Sequence, residues 1–216
     1  MTIVDQIIHS PRLAQYVRTF NDLLESERAK REEFYQWLPD DKKAEFINGE
    51  IIVHSPVKFE HASASQNLFT LISLHVNKHA LGFVGHEKLL ICLTRNDYEP
   101  DLCFWNTAKS SAFQPKQMKF PSPDLAIEVL SPTTEETDRT IKFEDYAAHG
   151  TDEYWVVDPD QRTIEQYLLN GDHYELAVKV KDGIIRSRAV KGLEMPVAAA
   201  FESAANLRAV EAIMKI

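Results

Sequence analysis

Residues 121–146 read PSPDLAIEVLSPTTEETDRTIKFEDY, and the fold turns on how this stretch is parsed. Asp124 to Leu130 is a short apolar run of β-formers closed by Ser131-Pro132, which predicts a buried strand. Side chains alternate along a strand, so Asp124, Ala126, Glu128 and Leu130 share one face while Leu125, Ile127 and Val129 share the other. Two carboxylates thus fall on one side of a core strand. Burying them ionised is costly without a metal, a basic partner or an opening to solvent. Thr133 or Thr134 then offers a cap for one helix running to about His149, with acids in its first turn and Gly150 as its stop. Asp138, Lys142 and Tyr146 are four apart and share a face of that helix. A cation therefore follows the acidic strand.

Outward from there, Glu153–Asp158 (EYWVVD) predicts a second core strand. Thr163–Leu169, His173–Val180 and Ile184–Val190, separated by Asn170-Gly171 and Asp182-Gly183, predict an antiparallel meander, and residues 197–216 a closing helix. Upstream, Phe83–Trp105 reads as strands, with Asp101, Cys103 and Trp105 on one face. A helix from His61 to about Ala80, ended by Gly82, precedes them. Asn48-Gly49 between β-formers is the strongest hairpin signal in the chain. Residues 1–38 form a helical lead-in, interrupted at Pro11, with Ile3, Ile7, Ile8, Leu13, Tyr16, Val17, Phe20, Leu23 and Leu24 near helical spacing.

The 216 residues are 44% apolar and carry a formal charge of −9. That content supports a sizeable core, and without repeats or a linker it reads as one domain, 1–216. No apolar run is long enough for a membrane span and no secretory signal is recognisable, so a soluble cytoplasmic protein is expected. Cys92 and Cys103 lack metal-knuckle spacing and read as core residues. The net acidity argues against non-specific coating of nucleic acid, so any such contact must be local. One local basic stretch exists, because residues 106–123 hold Lys109, Lys116 and Lys119 and no acid. It is either phosphate-contacting or an ordinary surface loop.

No Gly-rich phosphate loop, nucleophile elbow or zincin pair is present. The constellation that remains is acidic: Asp101 at the start of one strand, Asp124 and Glu128 on another, Lys142 on the next helix. Hard carboxylate oxygens without thiolates suit Mg²⁺ or Mn²⁺, and a nearby Lys can orient water or stabilise charge on a phosphate. A structural salt bridge uses the same residue types, and pattern alone leaves both readings open.

The succession EFINGEII (45–52), SPVKFEH (55–61), PDLCFW (100–105), PDLAIEVLSPTT (123–134), DRTIKFEDYAAHG (138–150) and EYWVVDP (153–159) resembles the bacterial putative restriction endonuclease family, a domain of unknown function within the PD-(D/E)XK nuclease superfamily. The resemblance runs from about Glu45 to Tyr174, leaving the N-terminal helices, the end of the meander and the C-terminal helix (175–216) outside it. It implies an α+β restriction-endonuclease-like fold, a mixed β-sheet flanked by helices, and Mg²⁺- or Mn²⁺-dependent hydrolysis of DNA. By position, Asp101 matches the metal-binding aspartate and Glu128 the acid of the (D/E)XK motif. Glu50 and His61 match recurrent positions, and Asp124 and Tyr146 are further accessory candidates. Leu130 stands where the superfamily has its lysine, which suggests that the lysine has moved to the following helix as Lys142. A homodimer would supply two sites for two strands. The alternatives are a catalytically inactive nuclease fold that binds or regulates, and hydrolysis of a small phosphoester.

Overall fold

A computed structural model describes residues 2–38 and 42–215. Contacts within the chain separate it into two compact units, Met1–His54 and Ser55–Ile216.

The first unit begins with α1 (Ile3–Ile8), whose capping box joins Thr2 and Asp5. After the interruption around Pro11 comes the long α2 (Leu13–Trp37). Strands β1 (Ala44–Ile47) and β2 (Glu50–Val53) form an antiparallel hairpin through Asn48-Gly49. Asn48 and Gly49 both have positive φ, at 51° and 83°, as a two-residue hairpin turn with the right-handed strand twist requires. A side chain at Gly49 would also press on Glu27 of α2, 2.8 Å from its Cγ. Phe34 packs on Phe46, with ring centroids 5.8 Å apart.

The second unit opens with α3 (Phe59–Lys78), then β3 (Gly82–His86), β4 (Leu90–Cys92), β5 (Asp97–Tyr98) and β6 (Leu102–Asn106). Helix α3 ends at His79, with Ala80 in the left-handed conformation and the Leu81 amide donating to the Val76 carbonyl. Gly82 is therefore not the helix stop that the sequence predicts. It is required instead because a Cβ there would collide with the Trp105 carbonyl of the neighbouring strand. The stretch 106–123 is more ordered than a plain loop. Asn106 caps the short α4 (Thr107–Ser110), and β7 (Lys119–Phe120) pairs in parallel with β4.

The acidic strand is β8 (Leu125–Val129), followed by α5 (Glu135–Arg139), α6 (Ile141–Ala148) and β9 (Glu153–Asp158), which runs parallel to β8. The single helix expected here is broken at Thr140, whose backbone leaves helical geometry at φ −126°, ψ −85°. Its hydroxyl donates back to the Glu136 carbonyl at 2.6 Å, a bond that competes with the helical ladder. Thr134 does not cap by its side chain either; that hydroxyl bonds Ser131 at 2.9 Å. Strands β10 (Thr163–Asn170) and β11 (His173–Val180) complete a six-stranded mixed sheet of order β11-β10-β9-β8-β6-β3.

The expected meander stops at that point. Strand β12 (Ile184–Arg186) leaves the sheet and pairs with β13 (Glu194–Pro196). Glu153 accounts for the departure. Its buried carboxylate accepts from Trp155 Nε1, Gln166 Nε2, Ser187 Oγ and the Ala189 amide, so residues 187–189 are drawn onto β9. The closing helix is likewise in two parts, α7 (Ala198–Phe201) and α8 (Ser203–Lys215); Ile216 lies outside the described residues.

One sheet face packs Leu102, Phe104, Leu125, Ile127 and Val129 against Leu68, Leu71 and Ile72 of α3 and the alanines of α7 and α8. The other carries α6 on an aromatic layer, where the Phe143 ring lies 5.7, 4.8 and 4.9 Å from those of Tyr154, Tyr167 and Tyr174. The fold is mixed α+β with helices on its sheet, and among the described residues no helix is long and apolar enough to cross a membrane.

Helix α5 is tied to the sheet by Arg139, which donates two hydrogen bonds to Glu165 on β10 at 2.7 and 3.1 Å. Burial alone would raise the Glu165 carboxyl, but hydrogen bonds from Arg139, Lys179 and Tyr167 outweigh it and hold the group at about 2, below its ordinary 4.5. A carboxyl depressed on folding contributes stability above its unfolded value, and that contribution fades as pH falls through the folded one. Acid titration of thermal stability should therefore show a loss between about pH 4.5 and 2. Glu165→Gln is expected to flatten that limb and to lower stability at neutral pH.

Candidate active site

Strand alternation turns Glu128 away from the α3 core and towards α6, where it is 2% exposed. Lys142, one residue into α6 and equally buried, places its Nζ 3.3 Å from Glu128 Oε1 and 3.0 Å from Asp138 Oδ1. The same ammonium lies 5.9 Å from the centroid of the Tyr98 ring. Within this trio two carboxylates share one cation, leaving it net negative if all three are ionised. Its field is felt nearby: burial first, and then the Glu128 charge, push the Cys103 thiol and the Tyr154 phenol well up from their ordinary values. Tyr154 spends its hydroxyl on the Asp138 carbonyl at 2.9 Å, which fixes the α5–α6 break above the sheet.

Asp101 immediately precedes β6 and is 3% exposed. Leu102 pairs with Ile127 in the antiparallel register, so Asp101 and Glu128 are the next opposed residues on the two strands. Asp101 Oδ2 accepts the Val129 amide at 2.8 Å and lies 3.2 Å from His61 Nε2 in the first turn of α3. His61 Nδ1 is buried with no hydrogen-bond partner among the described residues. The ring lines a cleft with Lys58, Glu60, Leu130, Ser131, Pro132, Pro159 and Asp160, at the ends of β8 and β9.

The structure thus brings His61 to Asp101, and Lys142 to Glu128. Asp124 lies at the far end of β8, where it accepts from the Asn106 amide at 2.7 Å and pairs with Lys109 Nζ at 2.9 Å. Lys109 also donates to the Ser122 carbonyl, so its ammonium anchors the α4 turn, while Lys116 and Lys119 are exposed. Tyr146 is fully buried between Tyr98 and Tyr154, at 5.5 and 5.7 Å. Glu50 is exposed on β2 of the first unit. Sequence pattern does not single out Asp138 as a site residue, although its spacing of four from Lys142 places both on one helical face. The donors that could hold a hard cation are the carboxylates of Asp101 and Glu128, with Asp138 behind Lys142.

A family model described as "Putative restriction endonuclease" (Uma2) matches residues 31–198. Two uncharacterized proteins of Synechocystis sp. are similar. One is 31% identical over 147 residues, 65% of this chain and 74% of that one. The other is 29% identical over 142 residues, 64% of this chain and 79% of its own length. Among solved structures, one described as a putative nuclease belonging to DUF820, from Anabaena variabilis, superposes with a TM-score of 0.68. It is 20% identical and the match covers 79% of this chain and 96% of that one, which establishes a shared fold.

The trio makes an asymmetric prediction for stability. Lys142→Met removes the cation that two buried carboxylates share and is expected to cost about 3–5 kcal/mol. Glu128→Gln leaves Lys142 paired with Asp138 and relieves one of two like charges, so its melting temperature should stay close to wild type. Thermal melts of both variants check the order.

Proposed function

Because the chain belongs to the Uma2 family of putative restriction endonucleases, we propose that it is a metal-dependent nuclease hydrolysing DNA phosphodiester bonds at Asp101, Glu128 and Lys142. The observation that carries this reading is the 3.3 Å approach of the Lys142 ammonium to the Glu128 carboxylate from a helix outside the strand motif. It supplies the acid–lysine pair that the missing in-motif lysine would otherwise provide.

Asp101 and Glu128 fit Mg²⁺ or Mn²⁺. Both offer hard oxygens from opposed positions on adjacent strands, and such ions take one or two carboxylates and keep water and substrate oxygens as further ligands. Among the described residues no group of three or more His, Cys, Asp or Glu is arranged to hold a metal ion. When bound, the cation would polarise a phosphoryl oxygen and lower the pKa of a coordinated water. Lys142 holds Glu128 in place and presents an ammonium that orients water or offsets charge developing on the phosphate. His61 and the Val129 amide fix the orientation of Asp101, leaving it little rotameric freedom. Acting on DNA, the protein would work in the cytoplasm. The alternative, a catalytically silent nuclease fold, is favoured by one feature: Asp138 pairs with Lys142 as closely as Glu128 does, which is how a purely structural ion cluster is built.

Plasmid and linear DNA incubated with Mg²⁺ or Mn²⁺ should be cut, and EDTA should abolish the cutting. Asp101→Asn and Glu128→Gln should lose it, and Lys142→Met should reduce it roughly 100- to 1,000-fold. A folded wild-type protein that leaves every DNA intact with either ion would favour the silent reading.

DNA affinity gives a separate expectation. Lys116 and Lys119 of the basic loop are exposed, and phosphates bound at this loop would meet them. Replacing both with Ala should weaken binding and reduce the log–log salt slope by roughly 0.9 for each phosphate no longer neutralised. Lys109→Ala should instead lower thermal stability, since it leaves Asp124 without that ion pair.

A further inference from the structure

Helix α2 is amphipathic, yet the residues of its apolar stripe are exposed. Leu13, Tyr16, Val17, Phe20, Leu23 and Leu24 recur at 3-, 4- and 7-residue spacings, and each is 36–49% accessible, although a stripe of this kind ordinarily lies against another element. The stripe ends at Glu27, which is buried within its own unit beside Gly49. Helix α1 also carries exposed apolar side chains, Ile3, Val4 and Ile8. The six stripe side chains offer on the order of 500 Å² of accessible area, towards the small end of what each partner contributes to a specific interface. The stripe lies upstream of residue 31, where the family match begins, so it is a feature of this chain's added segment.

The charges flanking the stripe identify its occupant. From Arg12 to Phe20 the bases are Arg12 and Arg18 with no acid; from Asn21 to Glu27 the acids are Asp22, Glu25 and Glu27 with no base. Bases near a helix N-terminus oppose the helix dipole, so this polarity costs the isolated helix stability. A second copy laid antiparallel reverses the penalty. With a two-fold axis between Arg18 and Thr19, Leu13 meets the partner's Leu24, Val17 meets the partner's Phe20, and Arg12 meets the partner's Glu25. The basic segment 12–20 of each helix then lies on the acidic segment 21–27 of the other, and a stripe flanked by charges of opposite sign along these two segments is complementary to itself. The seam repeats every seven residues, as helix pairing of this kind requires.

We propose that the α2 face is a two-fold, antiparallel interface between two copies of this chain. Sedimentation equilibrium of the full chain should give twice the monomer mass. Phe20→Glu with Leu23→Glu should halve that mass while the melting temperature of the Ser55–Ile216 unit and its circular dichroism stay in place. Charge variants provide a test that does not disturb the apolar seam: Arg12→Glu/Arg18→Glu and Asp22→Arg/Glu25→Arg should each be monomeric, and an equimolar mixture should recover the dimer. A monomeric wild type would overturn the proposal, whether or not the stripe variants melt earlier. So would a dimer whose mass none of these variants changes.

Discussion

A lysine ammonium buried between two carboxylates is the constraint on which the second unit depends. Lys142 is 2% exposed, and a cation so placed is tolerated only while its partners are held at contact distance. Glu128 arrives from a strand, Asp138 from the short helix before the break, and Lys142 from the helix after it. The crossover from β8 to β9 therefore has little latitude. The helix must break at Thr140 yet keep residues 138 and 142 within reach, and Tyr154 and Arg139 fasten that break to the sheet from below and from the side. The aromatic layer under α6 sets the height at which the ammonium meets the strand.

Asp101 is held quite differently. Its carboxylate is gripped from the α3 side by His61 and by the Val129 amide, whereas Glu128, its neighbour across the strand pair, is gripped from the α6 side. Two acids at opposed strand positions would repel, and each is restrained by groups from a different layer. This arrangement holds both carboxylates buried at the ends of β6 and β8. On the proposed reading, a hard divalent ion would draw together charges that the fold has placed side by side.

Much of this was legible in residue pattern. Alternation in 124–130 separated the acidic face from the core face, and Asn48-Gly49 marked its hairpin. The spacing of four between Asp138 and Lys142 survives the helix break as an ion pair. What the pattern could not carry were long-range contacts. Asp124 shares a strand face with Glu128, but Lys109, fifteen residues earlier in the chain, holds it at the other end of the strand. Gly82 looked like a helix terminator because glycines often are; its reason is a strand carbonyl that no local window contains. Residues 184–190 alternate like a sheet strand, yet the demand of the buried Glu153 carboxylate for donors redirects them, and that demand arises from tertiary burial. The break at Thr140 was within local reach, through a β-branched hydroxyl able to bond four residues back.

We propose that Asp101 and Glu128 together bind a hard divalent cation, with Lys142 beside the site and not a substitute for the ion. Calorimetric titration of Mn²⁺ into the wild type, Asp101→Asn, Glu128→Gln and Lys142→Met tests it in the absence of DNA. The wild type should bind, both carboxylate variants should lose binding, and those Lys142→Met molecules that remain folded should retain it. Wild-type Mn²⁺ affinity in both carboxylate variants would contradict it.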